Sequence, residues 1–377
     1  MRHSWRGVLA ALLALSLAVP ACAAPAEGEA AARREDLEFL YQTLERAHPD
    51  LFANTPEGQF LERKAAIEAG LEEVDDFTFA LELQSLTALA GDSHTTLALG
   101  GSLSQTVHYY PMSLLYRDGR WYLSAAPSDR RALLGREVTA VNGRSMEKTV
   151  DVFGAILSAD NGVKLRRQYR QSCNVAEFYE YLGLVQEGGP LELTLAGGGE
   201  LVLSPVPAEE LGQTGLVRLS DGLPQPVTGT QERFYLAFPL DKGTYYIQYN
   251  SCREDPELPM ETFAAQVEQD LSAGEYRRVI VDLRNNGGGY LSQLTDMLDF
   301  LLPEGPIFIS RDRAGHEEIT NSDADCVELP MAVLVNADTY SAAEFFAAEL
   351  QEQGAAVIVG EPTSGKGYSQ QTFPLPH

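Results

Sequence analysis

Three short stretches in the last third of the chain carry residue types that could do chemistry. Asp282-Leu283-Arg284-Asn285-Asn286-Gly287-Gly288-Gly289 closes an apolar run that reads as a strand. Its glycines let the backbone turn tightly and approach a ligand, and they leave N–H groups free for an anion or a developing oxyanion. The competing reading is a plain flexible turn. Thr339-Tyr340-Ser341-Ala342-Ala343-Glu344 follows a second strand and opens a helix. A serine at such a junction can present its hydroxyl beside an unpaired helix amide, as a nucleophile next to an oxyanion donor. Here the competing reading is helix capping, with Ser341 as the N-cap and Glu344 completing a capping box. Gly360-Glu361-Pro362-Thr363-Ser364-Gly365-Lys366-Gly367 follows a third strand and nearly spells a phosphate-binding P-loop. Gly367 stands where Mg²⁺ would need a hydroxyl, and Tyr368 to Pro376 does not read as the helix that should face the phosphates, which argues against a nucleotide site.

The elements around these stretches alternate. Tyr245–Tyr249 and Arg278–Leu283 read as strands, the second apolar enough to be buried on both faces, with a helix between them marked by Phe263, Val267 and Leu271. A helix over 291–302, a strand over 331–336, a helix over 342–352 and a strand over 355–360 complete an α/β unit. Upstream the pattern differs. Leu37, Leu40, Tyr41 and Leu44 recur at helical spacing until His48-Pro49, and stripes at 60–71 and 77–90 follow. Between 108 and 207 the chain changes to short β-like runs with turns at Arg117-Asp118-Gly119-Arg120 and Asn142-Gly143. The predicted organisation is therefore multidomain α/β: a helical N-terminal domain (36–106), a small β-rich domain (107–207), a linker (208–231) and an α/β core (232–377).

All three stretches, in this order within one α/β unit, resemble the C-terminal processing, or tail-specific, serine peptidases. The resemblance rests on residues 282–289, on Ser341-Ala342-Ala343-Glu344, and on Gly360 to Gly367 with Gln370. It extends upstream to Gly91-Asp92-Ser93-His94-Thr95, similar to a D-x-H-T element, and to His48-Pro49-Asp50-Leu51-Phe52. It implies a Ser341 nucleophile, a Lys366 general base 25 residues later, and Gln370, four further on, supporting the lysine. It implies an α/β core of crotonase-like (ClpP/crotonase) type. It also implies that the β-rich domain is a degenerate PDZ-like domain, carried by Leu134-Gly135-Arg136-Glu137-Val138 and Ala140-Val141-Asn142-Gly143, though without a G-L-G-F-type loop. Relatives of the tricorn type use the histidine of the D-x-H element, which makes His94 the alternative base. Retinoid-binding proteins share the architecture without proteolysis, so a non-catalytic binding module is the reading of a different class.

A lysine with an ordinary pKa near ~10.4 is protonated at neutral pH and must be buried to act as a base. Ala355, Val357 and Val359 are the expected wall of such a pocket. The oxyanion would be held by the Ala342 amide and by one from Gly287 or Gly288. This chemistry calls for no metal or organic cofactor; its partners are protein or peptide substrates.

Length, composition and charge agree with that reading. The chain has 377 residues, enough for two or three domains, with 44% hydrophobic and 22% charged residues in the globular range. The net charge of −26 repels phosphate backbones, so nucleic acid is not an expected partner. Arg2 and Arg6 precede a 12-residue apolar run from Val8 to Val19, too short to span a bilayer, which reads as an export signal over 1–21. Val19-Pro20-Ala21-Cys22 resembles a lipoprotein box, giving Cys22 as a lipid anchor and 22–35 as a tether; cleavage at Ala21-Cys22-Ala23 would release a soluble form instead. Either way the mature protein is expected outside the cytoplasm. Three further cysteines allow at most one internal disulfide. The sequence stops at His377 directly after the lysine segment, short of the strands that usually follow in such peptidases.

Overall fold

The computed structural model describes residues 28–100, 106–219, 232–274, 276–322 and 326–377. The export signal, Cys22 and the first part of the tether lie outside the described residues. Three helices open the chain: α1 (Glu29–Ala47), α2 (Glu57–Ala69) and α3 (Asp76–Ala88). They pack around Leu37, Tyr41, Phe60, Leu71, Leu83 and Leu86. Helix α1 begins well before Asp36, so the second half of the polar stretch read as a tether is helical. Asp75 caps α3, its carboxylate accepting from the Thr78 amide at 2.7 Å.

The β-rich unit holds β1 (His108–Tyr109), β2 (Ser113–Arg117), β3 (Arg120–Pro127), β4 (Glu137–Val141) and β5 (Arg144–Ser145). Helices α4 (Met146–Phe153), α5 (Gly162–Ser172) and α6 (Ala176–Tyr181) follow, then β6 (Leu191–Leu195), β7 (Glu200–Leu203), β8 (Val206–Pro207), α7 (Ala208–Leu211) and β9 (Leu216–Arg218). Strands 2, 3, 4, 6 and 7 form the ordered path of one sheet, with β5 on β4 and β9 on β3. Asp118 and Asn142 take positive φ in the two turns the sequence marked. The stretch after Val206, read as a linker, carries α7 and β9 before passing out of the described residues at 220–231.

The α/β unit comprises β10 (Tyr235–Asp241), β11 (Thr244–Tyr249), α8 (Met260–Ala273), β12 (Arg278–Asp282), α9 (Ser292–Leu301), β13 (Gly305–Arg311), β14 (Glu317–Ser322), β15 (Met331–Val335), α10 (Ala342–Glu352) and β16 (Ala356–Gly360). Its sheet runs β10-β11-β12-β15-β16, with β11, β12, β15 and β16 parallel and β10 antiparallel at one edge. Parallel neighbours need long crossovers, and the helices supply them while burying one face of the sheet. Every residue of β11 is buried, whereas Val357 and Val359 on edge strand β16 are 68% and 48% exposed. From 361 to 377 the chain has neither helix nor strand, and it crosses to the N-terminal helices, where Leu375 packs against their core. Among the described residues no helix is long and apolar enough to cross a membrane.

Candidate active site

Because β12 and β15 are parallel neighbours, the loops leaving their C-terminal ends meet, as ligand-binding loops do in open α/β sheets. They are stitched together by short polar side chains. Asn336 accepts from the Asn285 amide at 3.0 Å and donates to Asn285 Oδ1 at 2.8 Å, and Thr339 Oγ1 donates to the Leu283 carbonyl at 2.9 Å. Fully buried Asn286 donates to the Tyr249 carbonyl at 2.8 Å, accepts the Gly288 amide at 2.8 Å, and offers its carbonyl to the Tyr340 amide at 2.9 Å. The Gly-rich loop is thus held rigidly against the residue before Ser341; it is not a loose turn.

Gly288 must be glycine. Its φ is +85°, and a Cβ there would lie 2.6 Å from the Tyr340 carbonyl oxygen and 2.8 Å from Ser341 Cβ. That places the loop directly beside Ser341. It also divides the expected oxyanion donors: the Gly288 amide is committed to Asn286, so Gly288 is not a free donor. Gly287 and Ala342 have no acceptor for their amides among the described residues.

Ser341 sits at φ 56° and ψ −124°, a region that non-glycine residues avoid. An N-cap serine needs no such strain, since caps ordinarily adopt extended backbone. A strained serine on a strand-to-helix turn is the geometry that projects a nucleophile. The capping box is present as well: Ser341 is the N-cap of α10, and Glu344, 8% exposed, accepts the Ser341 amide on Oε2 at 2.8 Å. The same carboxylate accepts the Gly365 amide on Oε1 at 2.6 Å and the Lys366 amide on Oε2 at 3.1 Å. One oxygen therefore serves both Ser341 and Lys366, holding their backbone nitrogens within about 6 Å of each other.

The lysine side chain differs from expectation in its surroundings. Val357 and Val359 point to solvent and form no apolar wall, because nothing covers that face of β16 among the described residues. Gln370 is exposed, and among the described residues the hydrogen-bond partner of Lys366 Nζ is Asp92, at 2.6 Å. The Lys366 side chain is fully buried, and burial lowers its pKa from the ordinary lysine value while Asp92 works in the opposite direction. Asp92 itself, although burial alone would raise it, is held well below the usual carboxylate range by donors from His48, Lys366, Thr95 and the His94 amide.

His94 lies alongside. Its Nδ1 donates to the Tyr368 carbonyl at 2.8 Å, and its ring meets the Tyr340 ring edge-on at 5.4 Å. A carbonyl can only accept, so Nδ1 carries the proton and Nε2 keeps its lone pair. Burial, reinforced by the Lys366 cation, pushes the ring down to about 4, so it is neutral at physiological pH.

The β-rich unit also reaches the site, which sequence reasoning missed. Asn161 caps α5 and donates to the Ser364 carbonyl at 2.8 Å. Lys164 lies over the Tyr340 ring at 3.6 Å; burial, then Arg167, brings it down to about 7. Arg167 and Arg170 both bind Asp338, at 2.8 and 2.5 Å. Tyr340 OH in turn bonds Ser93 Oγ at 2.8 Å. The Asp160-Asn161-Gly162 run was the available signal, a cap residue ahead of a helix.

Residues 243–377 match the model of peptidase family S41. A carboxyl-terminal-processing protease of Synechocystis sp. is 41% identical over 97 residues, covering 26% of this chain and 23% of that protein. A tail-specific protease of Haemophilus influenzae is 33% identical over 99 residues, covering 26% of this chain and 14% of that protein. The matched residues span about a quarter or less of the length of these relatives, which are C-terminal processing or tail-specific proteases. Mature CPAF complexed with lactacystin superposes on the chain with a TM-score of 0.60 at 16% identity, covering 92% of this chain and 87% of that one. That likeness extends the shared α/β fold to the helical and β-rich units.

Proposed function

We propose that the protein is an exported serine endopeptidase that cleaves peptide bonds through an acyl-enzyme, with Ser341 as nucleophile and Lys366 as general base. The observation that carries this reading is the strained Ser341 backbone, tied to the Lys366 amide by one Glu344 oxygen within an S41 segment. A neutral Lys366 amine can donate an N–H to Asp92 and still offer its lone pair to the Ser341 hydroxyl. Ser341 Oγ then attacks the substrate carbonyl as its proton passes to Nζ. The oxyanion is received by the Gly287 and Ala342 amides. Collapse of the tetrahedral intermediate expels the amine, which takes the proton from Lys366, and water repeats the sequence to release the acid. The β-rich unit fits a PDZ-like role beside the site, and the α/β unit a crotonase-like core. Export by the N-terminal signal, with or without a lipid on Cys22, would place this chemistry outside the cytoplasm.

A second reading keeps Ser341 but takes His94 as base. It is favoured by the neutral ring with a free Nε2 lone pair beside a lysine already paired with Asp92. Peptide hydrolysis by Ser341→Ala, Lys366→Ala and His94→Ala separates the readings. The Ser/Lys reading expects losses of about 10³-fold or more for the first two and a smaller effect for the third. Loss in His94→Ala with Lys366→Ala active would establish the second reading. Hydrolysis undiminished in Ser341→Ala would contradict both readings, and none by the wild type would favour a binding module.

A further inference from the structure

Asp92 belongs to the helical unit, 274 residues before the lysine it contacts. Its side chain is 8% exposed and that of Lys366 0% exposed, so each charge has lost most of its water. A buried ion that loses its partner is costly, which makes this contact strongly determined. The carboxylate is otherwise fully used: Oδ1 also accepts the His94 amide at 2.9 Å, and Oδ2 accepts Thr95 Oγ1 at 2.6 Å and His48 Nε2 at 3.2 Å. His48 is fixed in turn, its Nδ1 accepting the Asp50 amide at 3.0 Å, which leaves the proton on Nε2 to face Asp92. Such a carboxylate has little freedom to move, and the amine it grips has one defined position.

We propose that Asp92 is a positioning residue of the reaction, gripping the Lys366 amine through an N–H and holding a proton on it until the pH rises. The inference rests on Lys366 being the base. Several charges face the amine. Asp160 and Glu344 join Asp92 in favouring the ammonium form, while burial and the Lys164 cation oppose it. His94, neutral, and His48, through Asp92, complete the surroundings, with the Tyr368 ring 5.1 Å from Nζ. Asp92 is the only one of these anions in direct contact with Nζ among the described residues. Replacing its charge while keeping its shape should therefore release the proton at lower pH.

The test reads two quantities on the full chain: the titration of Lys366 by NMR of ¹³C-labelled lysine, assigned with Lys366→Met, and the pH dependence of fluorophosphonate labelling of Ser341. Asp92→Asn is expected to move the Lys366 titration down by a unit or more, and the acid limb of labelling with it. His48→Leu, which removes a competing donor and leaves Asp92 in place, is expected to move both upward, and it serves where Asp92→Asn fails to fold. An unmoved Lys366 titration in the folded variants overturns the inference, whether or not Ser341 labels. A titration that moves while the labelling limb stays fixed shows that Lys366 is not the base; it contradicts the Ser/Lys reading and with it the role given to Asp92. A wild type that never labels contradicts the peptidase reading alone, and the titration still decides whether Asp92 governs the amine.

Discussion

Gly288 packs the loop after β12 against Tyr340 and Ser341 in the loop after β15, and its backbone shows how single residues set the site. A methyl group there would collide with the Tyr340 carbonyl and with Ser341 Cβ, both at less than 3 Å, in a conformation already strained for any L side chain. Gly288→Ala is expected to lower kcat/KM by about 100-fold or more, because displacement of the nucleophile by a fraction of an ångström suffices; steady-state peptide hydrolysis checks this. Asn286→Ala removes the acceptor for Gly288 and strands buried amide and carbonyl groups, so thermal denaturation should show a loss of about 2–4 kcal/mol. Which glycine keeps a free amide was not legible in the sequence. The three are chemically alike, and only the Asn286 side chain, folding back on the loop, distinguishes Gly287 from Gly288.

Among the elements, the strand-to-loop transitions that carry Asp282, Ser341 and Gly360 were readable because the apolar runs of β12, β15 and β16 end at glycines or at a helix start. The apolar wall expected from Val357 and Val359 was not observed: β16 is an edge strand that turns these two residues to solvent, and periodicity alone cannot say whether another layer covers a face. Helix α5 was the larger omission. Its Lys and Arg residues gave no sign that Arg167 and Arg170 would close on Asp338, some 170 residues away, just ahead of the nucleophile. Burial would raise Asp338, yet the two arginines hold it below the usual carboxylate value. Replacing both with alanine leaves a buried carboxylate unpaired and is expected to destabilise the fold by about 3–5 kcal/mol; urea denaturation of single and double variants measures it. Single replacements, which leave one arginine in place, should cost much less.

Across the whole molecule, the site is assembled from three units that the sequence keeps far apart. The helical unit supplies Asp92, His48 and His94, the β-rich unit Lys164 and Asn161, and the α/β unit the serine, the lysine and the glycine loop. The final segment runs from Lys366 past His94 to the N-terminal helices, where the His377 amide donates to Asp36 at 2.9 Å. Three-way assembly makes stability depend on pH through groups at the junction. His94 is held below its unfolded value near 6.5, so the unfolded chain binds a proton first as pH falls. Stability is therefore lost from about pH 6.5 down to about 4, by roughly 2 kcal/mol after allowance for partial exposure of the ring. Asp92, depressed in the fold, adds a further loss below about pH 4 as its carboxylate protonates. Urea midpoints at neutral and mildly acidic pH should differ less in His94→Gln than in the wild type.

All of these effects converge on one hydroxyl. The most direct measurement is mass-spectrometric mapping of the adduct formed when the purified protein reacts with a fluorophosphonate at mildly alkaline pH, which favours the uncharged amine. The account predicts a single adduct on the peptide containing Ser341, absent from Ser341→Ala. Labelling that persists undiminished in Ser341→Ala, or none under conditions that modify an established serine peptidase, would contradict it.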